Sequence, residues 1–120
     1  MNNINQIKHI YFYITERMLR NEVEIDIKGD YLDVTRNHGT CRIEGIIKDF
    51  LGILDQADVL HWKEEYKPDM LYMDCESWKI DITFNDGTHK VSSGENAFPD
   101  TFDLLENFIN ETLYVCDLID

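Results

Sequence analysis

The sequence predicts an α+β fold: a small antiparallel sheet of two strand–strand–helix units, with the helices packed on one face. Apolar and polar residues alternate with the two-residue period of strands in segments 22–28 and 78–85. Each segment is followed by a turn, a second extended stretch, and a run with apolar residues every three or four positions. Since 120 residues is a common size for one domain, residues 1–120 are expected to form a single acidic domain.

The second half of the chain carries the clearer unit. Its first strand is expected to bury one face, and Asp86-Gly87 then favours a two-residue hairpin turn because the pair tolerates positive φ. Residues 88–92 return as the partner strand. Asp100 or Thr101 is expected to cap a helix, as both side chains accept hydrogen bonds from free backbone N–H groups. The inward rows are Trp78, Ile80, Ile82 and Phe84 in the strand, and Phe102, Leu105, Phe108, Ile109 and Leu113 in the helix.

The first half follows the same order. Segment 22–28 predicts a strand, Gly29-Asp30 a turn, and residues 31–36 the returning strand. Thr40 is then expected to cap a helix, and the polar residues 63–76 join the two units. The inward residues are Val23, Ile25 and Ile27 in the strand, and Ile43, Ile46, Ile47, Phe50, Leu54 and Ala57 in the helix.

Residues 4–19 leave two alternatives open. Apolar residues that step by three and four favour a helix, whereas the β-branched and aromatic run 10–15 favours a strand. We favour the strand, because hydrophobic residues occupy both faces at its centre.

A resemblance covers about a quarter of the chain, from Trp78 to Phe108. Its letters are Trp78-x-Ile-x-Ile, then Asp86-Gly87, then Gly94-x-Asn96-x-x-Pro99 before an amphipathic helix. This pattern resembles one in small uncharacterised bacterial proteins. The resemblance implies the fold and a bacterial or phage origin, and no functional residue is carried over from it.

The charge excludes several classes of function. With 11 basic and 24 acidic residues the net charge is −13, so no basic surface for nucleic acid is expected, and binding to an anionic membrane is disfavoured. No apolar run reaches the length of a membrane span, and the polar start does not resemble a signal peptide. Three widely spaced cysteines fit buried thiols in a reducing compartment. We therefore expect a cytoplasmic protein.

Motifs for catalysis or cofactors are not found. The sequence has no glycine-rich phosphate loop, no serine nucleophile elbow and no close Cys/His pairs, so neither cofactor nor metal is expected. One alternative stays open. Glu24, Asp26 and Lys28 fall on one outer strand face, the arrangement of a metal-dependent hydrolase, although alternating charges are ordinary on a wet strand face.

The distribution of charge suggests a binding function. Residues 61–120 contain four basic and fourteen acidic side chains, and no Lys or Arg follows Lys90. We expect a non-enzymatic protein, favoured as a monomer, that neutralises a basic, nucleic-acid-handling partner such as a toxin or a defence nuclease, without contacting nucleic acid itself. The alternative is an accessory domain whose acidity serves solubility alone. The predicted partner-binding residues are Asp100, Asp103, Glu106 and Glu111 on the helix, and Glu64, Glu65, Tyr66 and Asp69 in the joining segment.

Overall fold

The computed structural model describes residues 2–16, 19–36, 39–68 and 76–113. These residues contain one mixed sheet of seven strands, two α-helices, two short 3-10 turns and a π-helical turn. The strands are β1 (Ile7–Glu16), β2 (Leu19–Ile27), β3 (Tyr31–Arg36), β4 (Gly39–Glu44), β5 (Glu65–Tyr66), β6 (Ser77–Phe84) and β7 (His89–Glu95). The helices are α1 (Ile47–Gln56) and α2 (Phe102–Phe108), the 3-10 turns are Ile4–Gln6 and Val59–His61, and the π-helical turn is Ile109–Leu113.

The prediction of a small antiparallel sheet built from two units is wrong. The strand order is β4-β3-β2-β1-β6-β7-β5, so both halves of the chain belong to one larger sheet. Strand β1 is the reason, because it lies at the centre and pairs antiparallel with both β2 and β6. The sheet is mixed because β5 pairs parallel with β7.

The preference for a strand within residues 4–19 is confirmed over Ile7–Glu16. Its inward residues Ile10 and Phe12 are buried, and on the outer face the Tyr11 and Tyr13 rings lie 6.1 Å apart. A central strand needs apolar side chains for the core and large side chains that fit between two neighbouring strands. These two requirements explain why hydrophobic residues occur on both faces of β1.

Thr40 does not cap a helix, contrary to the prediction. It lies in β4, which pairs with β3, and its hydroxyl is 2.9 Å from that of Thr35. Half-buried Cys41 and Ile43 alternate with exposed Arg42 and Glu44, as expected for a strand at the edge of the sheet. The helix α1 begins only at Ile47, and no side chain caps it.

The predicted hairpin of the second half is confirmed as β6 and β7, which pair antiparallel. Its loop has three residues rather than two: Phe84 N donates to Thr88 O, and Gly87 N donates to Phe84 O. Gly87 has φ +88°, which a glycine adopts without strain. The inward row is buried as predicted and consists of Trp78, Ile80, Ile82 and Phe84.

Both helices cover the inner face of the sheet. Phe50 and Leu54 of α1 and Phe102 and Leu105 of α2 are buried in the core together with the inward strand residues. Trp78 lies at the centre of an aromatic cluster, and its ring centroid is 5.0 Å from that of Phe102. In the part of the chain that the structure describes, no helix is long and apolar enough to cross a membrane.

One cysteine differs from the expectation of three free thiols. Cys41, half-buried on β4, is disulfide-bonded. Cys75 and Cys116 lie outside the described residues.

Candidate functional site

The N-terminal end of α2 is held by hydrogen bonds to the segment that follows α1. The Thr101 hydroxyl donates to Ala57 O at 2.5 Å, and Trp62 Nε1 donates to Ala57 O at 2.9 Å and to Thr101 Oγ1 at 3.0 Å. Thr101 precedes the helix as predicted, but its hydroxyl makes these tertiary bonds and does not cap the helix. The orientation of α2 is therefore fixed by buried polar contacts in addition to packing.

One side of α2 faces outward, and we call it the α2 face: Asp100, Asp103, Leu104, Asn107 and Glu111, all exposed. The opposite side is buried through Phe102, Leu105 and Ile109, as the periodicity predicts. Leu104 is 39% exposed, and among the described residues the only other exposed large hydrophobic side chain is Val91, at 36%. The α2 face thus combines carboxylates with one exposed apolar side chain.

Glu106 lies apart from the α2 face. It is half-buried and lines a small cavity of about 160 Å³ together with Glu22, Arg36 and Asn110, between α2 and the sheet. It also makes an interaction within the protein. Because α2 turns this residue toward the sheet, Glu106 is less available to a partner than Asp103 or Glu111.

The first helix adds carboxylates that the sequence analysis missed. Helices α1 and α2 pack side by side, and the ring centroids of Phe50 and Phe108 are 5.7 Å apart. Residues 46–61 and 99–111 form what we call the helical layer, all of it described, and Lys48 is its only Lys or Arg. Its exposed carboxylates are Asp49, Asp55, Asp58, Asp100, Asp103 and Glu111. The sequence pattern could have indicated them, because Asp49 and Asp55 fall on the polar side of the predicted first helix.

The predicted residues of the joining segment that the structure describes lie along the β5 edge of the sheet. Glu64 and Glu65 are exposed beside β7, where Ser93 N donates to Glu64 O at 3.0 Å. Tyr66 is half-buried against Trp78, with ring centroids 5.8 Å apart, and its hydroxyl accepts a hydrogen bond from Lys63 N at 2.9 Å. Asp69 lies outside the described residues. The structure thus places Glu64 and Glu65 at the β5 edge of the sheet, whereas the α2 face belongs to the helical layer.

The outer face of the sheet, which no described helix covers, has mixed charge. Arg20 donates to the Tyr11 hydroxyl at 2.8 Å and forms an ion pair with Glu22 at 2.6 Å. The carboxylates of the alternative hydrolase, Glu24 and Asp26, are about half exposed and lie 3.5 and 3.9 Å from His9 Nε2. Within the described residues, no three His, Cys, Asp or Glu side chains are arranged to hold a metal ion.

No protein-family model matches the chain, and no curated protein is significantly similar to it.

Proposed function

We propose that the protein is a non-enzymatic binding protein that neutralises a basic, nucleic-acid-handling protein by covering its nucleic-acid site. The observation that carries this proposal is the charge of the helical layer, where six exposed carboxylates face solvent beside one lysine. A groove lined by Lys and Arg attracts such a layer through its field, and complementary potentials accelerate association.

The α2 face is the part of the layer best suited to make contact. Asp103 and Asn107 are one helical turn apart, and Leu104 lies beside both. Carboxylates steer and orient a partner, whereas burial of an apolar residue at the centre of an interface slows dissociation. Effectors that fit are a toxin countered by an immunity protein, or a defence nuclease countered by an inhibitor. Both act on nucleic acid, and we place the protein in the cytoplasm with them.

The test begins with capture of the partner from host lysate at low salt and its release at high salt. Association and dissociation rates of the purified pair are then measured for the parent and for Asp103→Asn/Glu111→Gln. The matched control is Glu24→Gln/Asp30→Asn, which changes the net charge equally at exposed positions of β2 and its turn. We expect the α2-face variant to associate several-fold more slowly at low salt, and the control to match the parent.

A second variant separates the apolar contact from the charges. Leu104→Ser should accelerate dissociation of the complex and leave the salt dependence of association unchanged, because it removes no charge. Equal slowing by both charge variants would assign the effect to net charge and would contradict the α2 face as the contact surface. Failure to capture any partner at low salt would favour the accessory-domain alternative. A complex that binds nucleic acid as well as the free partner does would also contradict the proposal.

The cytoplasmic location has its own test, because disulfides are rare in that compartment. Protein isolated from its host under thiol-blocking conditions reports the state of Cys41, and a Cys41 that is alkylated without prior reduction would support a reducing location. A Cys41 disulfide that is retained in such protein would contradict a reducing location.

A further inference from the structure

An open cleft lies on the helical layer, away from the α2 face. Its volume is about 740 Å³, within the range of small-molecule sites. Three segments enclose it: residues 2–5, the second half of α1, and residues 58–61. Its apolar walls are Ile4, Leu51, Leu54, Val59 and Leu60.

The walls of the cleft are fixed by hydrogen bonds. Asn3 accepts a bond from Asn5 N at 2.9 Å and caps the first 3-10 turn. Asn2 Nδ2 donates to Thr88 Oγ1 at 2.8 Å and to Asp86 Oδ2 at 3.3 Å, which ties the N-terminal segment to the β6–β7 turn. A preformed cleft lowers the ordering cost of binding, so these contacts favour a ligand site.

The electrostatics of the cleft favour a positive ligand. Asp55 and Asp58 line it, together with the end of α1, where the backbone carbonyls carry partial negative charge and the last turn has no basic residue. Of the described side chains that line the cleft, none is Lys or Arg. His61 also lines it, but its Nδ1 is 2.5 Å from Asp58 Oδ1 and its side chain is 80% exposed. A cation placed here would meet carboxylates that carry no lysine or arginine partner within the cleft.

We propose that this cleft binds a small organic cation with an apolar body, of the class of primary amines on an aliphatic or aromatic chain. The apolar body lies against Leu51 and Leu60, and the ammonium group lies near Asp55 and Asp58. The site is separate from the α2 face and does not rest on the proposed function.

Gly52 provides a way to close the cleft. It lines the cleft, and a Cβ at this position would meet no atom within 4 Å. A Gly52→Leu side chain therefore extends into free space, and leucine is a better helix former than glycine. Gly29→Leu is the matched control, because Gly29 is exposed in the β2–β3 turn, has equally open surroundings and lies outside the cleft.

The experiment is a titration of the full chain, followed by two-dimensional NMR, with hexylamine, hexanol and hexanoate as probes. We expect saturable shifts at cleft residues with hexylamine, affinity at least about fivefold weaker for hexanol, and no binding of hexanoate. Gly52→Leu should abolish the shifts, whereas Gly29→Leu and Asp103→Asn/Glu111→Gln should bind as the parent does. The last variant separates this site from the α2 face.

Two results would overturn the proposal: no saturable shift with hexylamine at millimolar concentration, or equal affinity for hexylamine and hexanol. Should Gly52→Leu perturb folding, Asp55→Asn/Asp58→Asn serves as the second measurement. This variant should lower the affinity for hexylamine at least about fivefold and leave the affinity for hexanol unchanged. Asparagine is suited to position 58, where φ is +58°, because it tolerates left-handed backbone.

Discussion

Gly94 gives the sharpest test of the packing that supports α2. It pairs with Trp78 across β6 and β7 and lies directly against the indole ring. A Cβ at Gly94 would overlap Trp78 Nε1 and lie 2.5 Å from Ala97 O, the two atoms that form a 2.8 Å hydrogen bond. The ring has no room to move away, because the rings of Trp62 and Phe102 pack against it with centroids 5.7 and 5.0 Å away.

Gly94→Ala should therefore destabilise the protein by about 2–4 kcal/mol, from overpacking and from loss of a partly buried hydrogen bond. For a domain of this size each kcal/mol lowers the melting temperature by roughly 3–5 °C. Urea unfolding followed by circular dichroism measures the free energy. Gly29→Ala is the control, since its Cβ meets nothing within 4 Å, and its effect should stay within about 0.5 kcal/mol.

A double-mutant cycle identifies the cause. In a Trp78→Phe background the indole nitrogen and its hydrogen bond are already gone, so adding Gly94→Ala should cost about 1–2 kcal/mol less than in the parent. If the free energy of unfolding of Gly94→Ala alone lies within about 0.5 kcal/mol of the parent value, the close packing of Gly94 against Trp78 is refuted. Additive effects in the cycle would refute the assignment of the clash to the indole nitrogen.

Two further predictions concern polar contacts. Thr101→Val removes the hydroxyl between Ala57 O and Trp62 Nε1 and should lower the free energy of unfolding by about 1–2 kcal/mol in urea. Hydrogen bonds from the Thr88 hydroxyl and backbone N–H lower the pKa of the Asp86 carboxyl. Because the folded pKa lies below the unfolded one, this contribution is present at neutral pH and is lost as the pH falls below about 4. An NMR titration should give a lower pKa for Asp86 in the folded protein than in an unfolded peptide. The difference in free energy of unfolding between the parent and Asp86→Asn should shrink at acid pH. An Asp86 pKa equal to that of the peptide would contradict the prediction.

Local pattern was sufficient to predict single elements of the fold. The alternation around Ile25 and Ile80 gives the correct strand faces, and both residues are fully buried. The sheet order was not predictable from such patterns, because register and neighbours depend on contacts between distant segments. Strand β1 shows this: its pattern indicates a strand, but only the pairing of Ile10 with both Ile25 and Ile82 reveals that it joins the two halves.

The error at Thr40 has a physical cause. A Thr before an apolar periodic run is a good helix start, and the same residue also has high strand propensity. Pairing with β3 decides between them, since Cys41 lies opposite Val34 and Ile43 opposite Leu32 along the edge of the core. Such cross-strand pairs cannot be recognised from the short sequence segment around Thr40 alone.

The sequence was sufficient to predict that the candidate site is negatively charged, but it located only some of its residues. Counting charges found the acidic second half and the exposed carboxylates of α2. It did not find Asp49, Asp55 and Asp58, because their proximity to α2 arises from packing between segments about fifty residues apart. The cleft was also out of reach, because its three walls meet only in the folded chain.

The two faces of the molecule differ in how their charges are balanced, and this difference locates the proposed interface. On the outer face of the sheet, Arg20 pairs with Glu22, and His89 Nδ1 lies 2.9 Å from Asp81. Arg42 stacks on Tyr31 on the same face, with its guanidinium 4.0 Å from the ring centroid. A partner that bound there would have to displace existing contacts, which offsets the gain from new ones. In the helical layer Asp58 contacts His61, and Lys48 is the only Lys or Arg. A basic partner therefore displaces fewer existing contacts on that side.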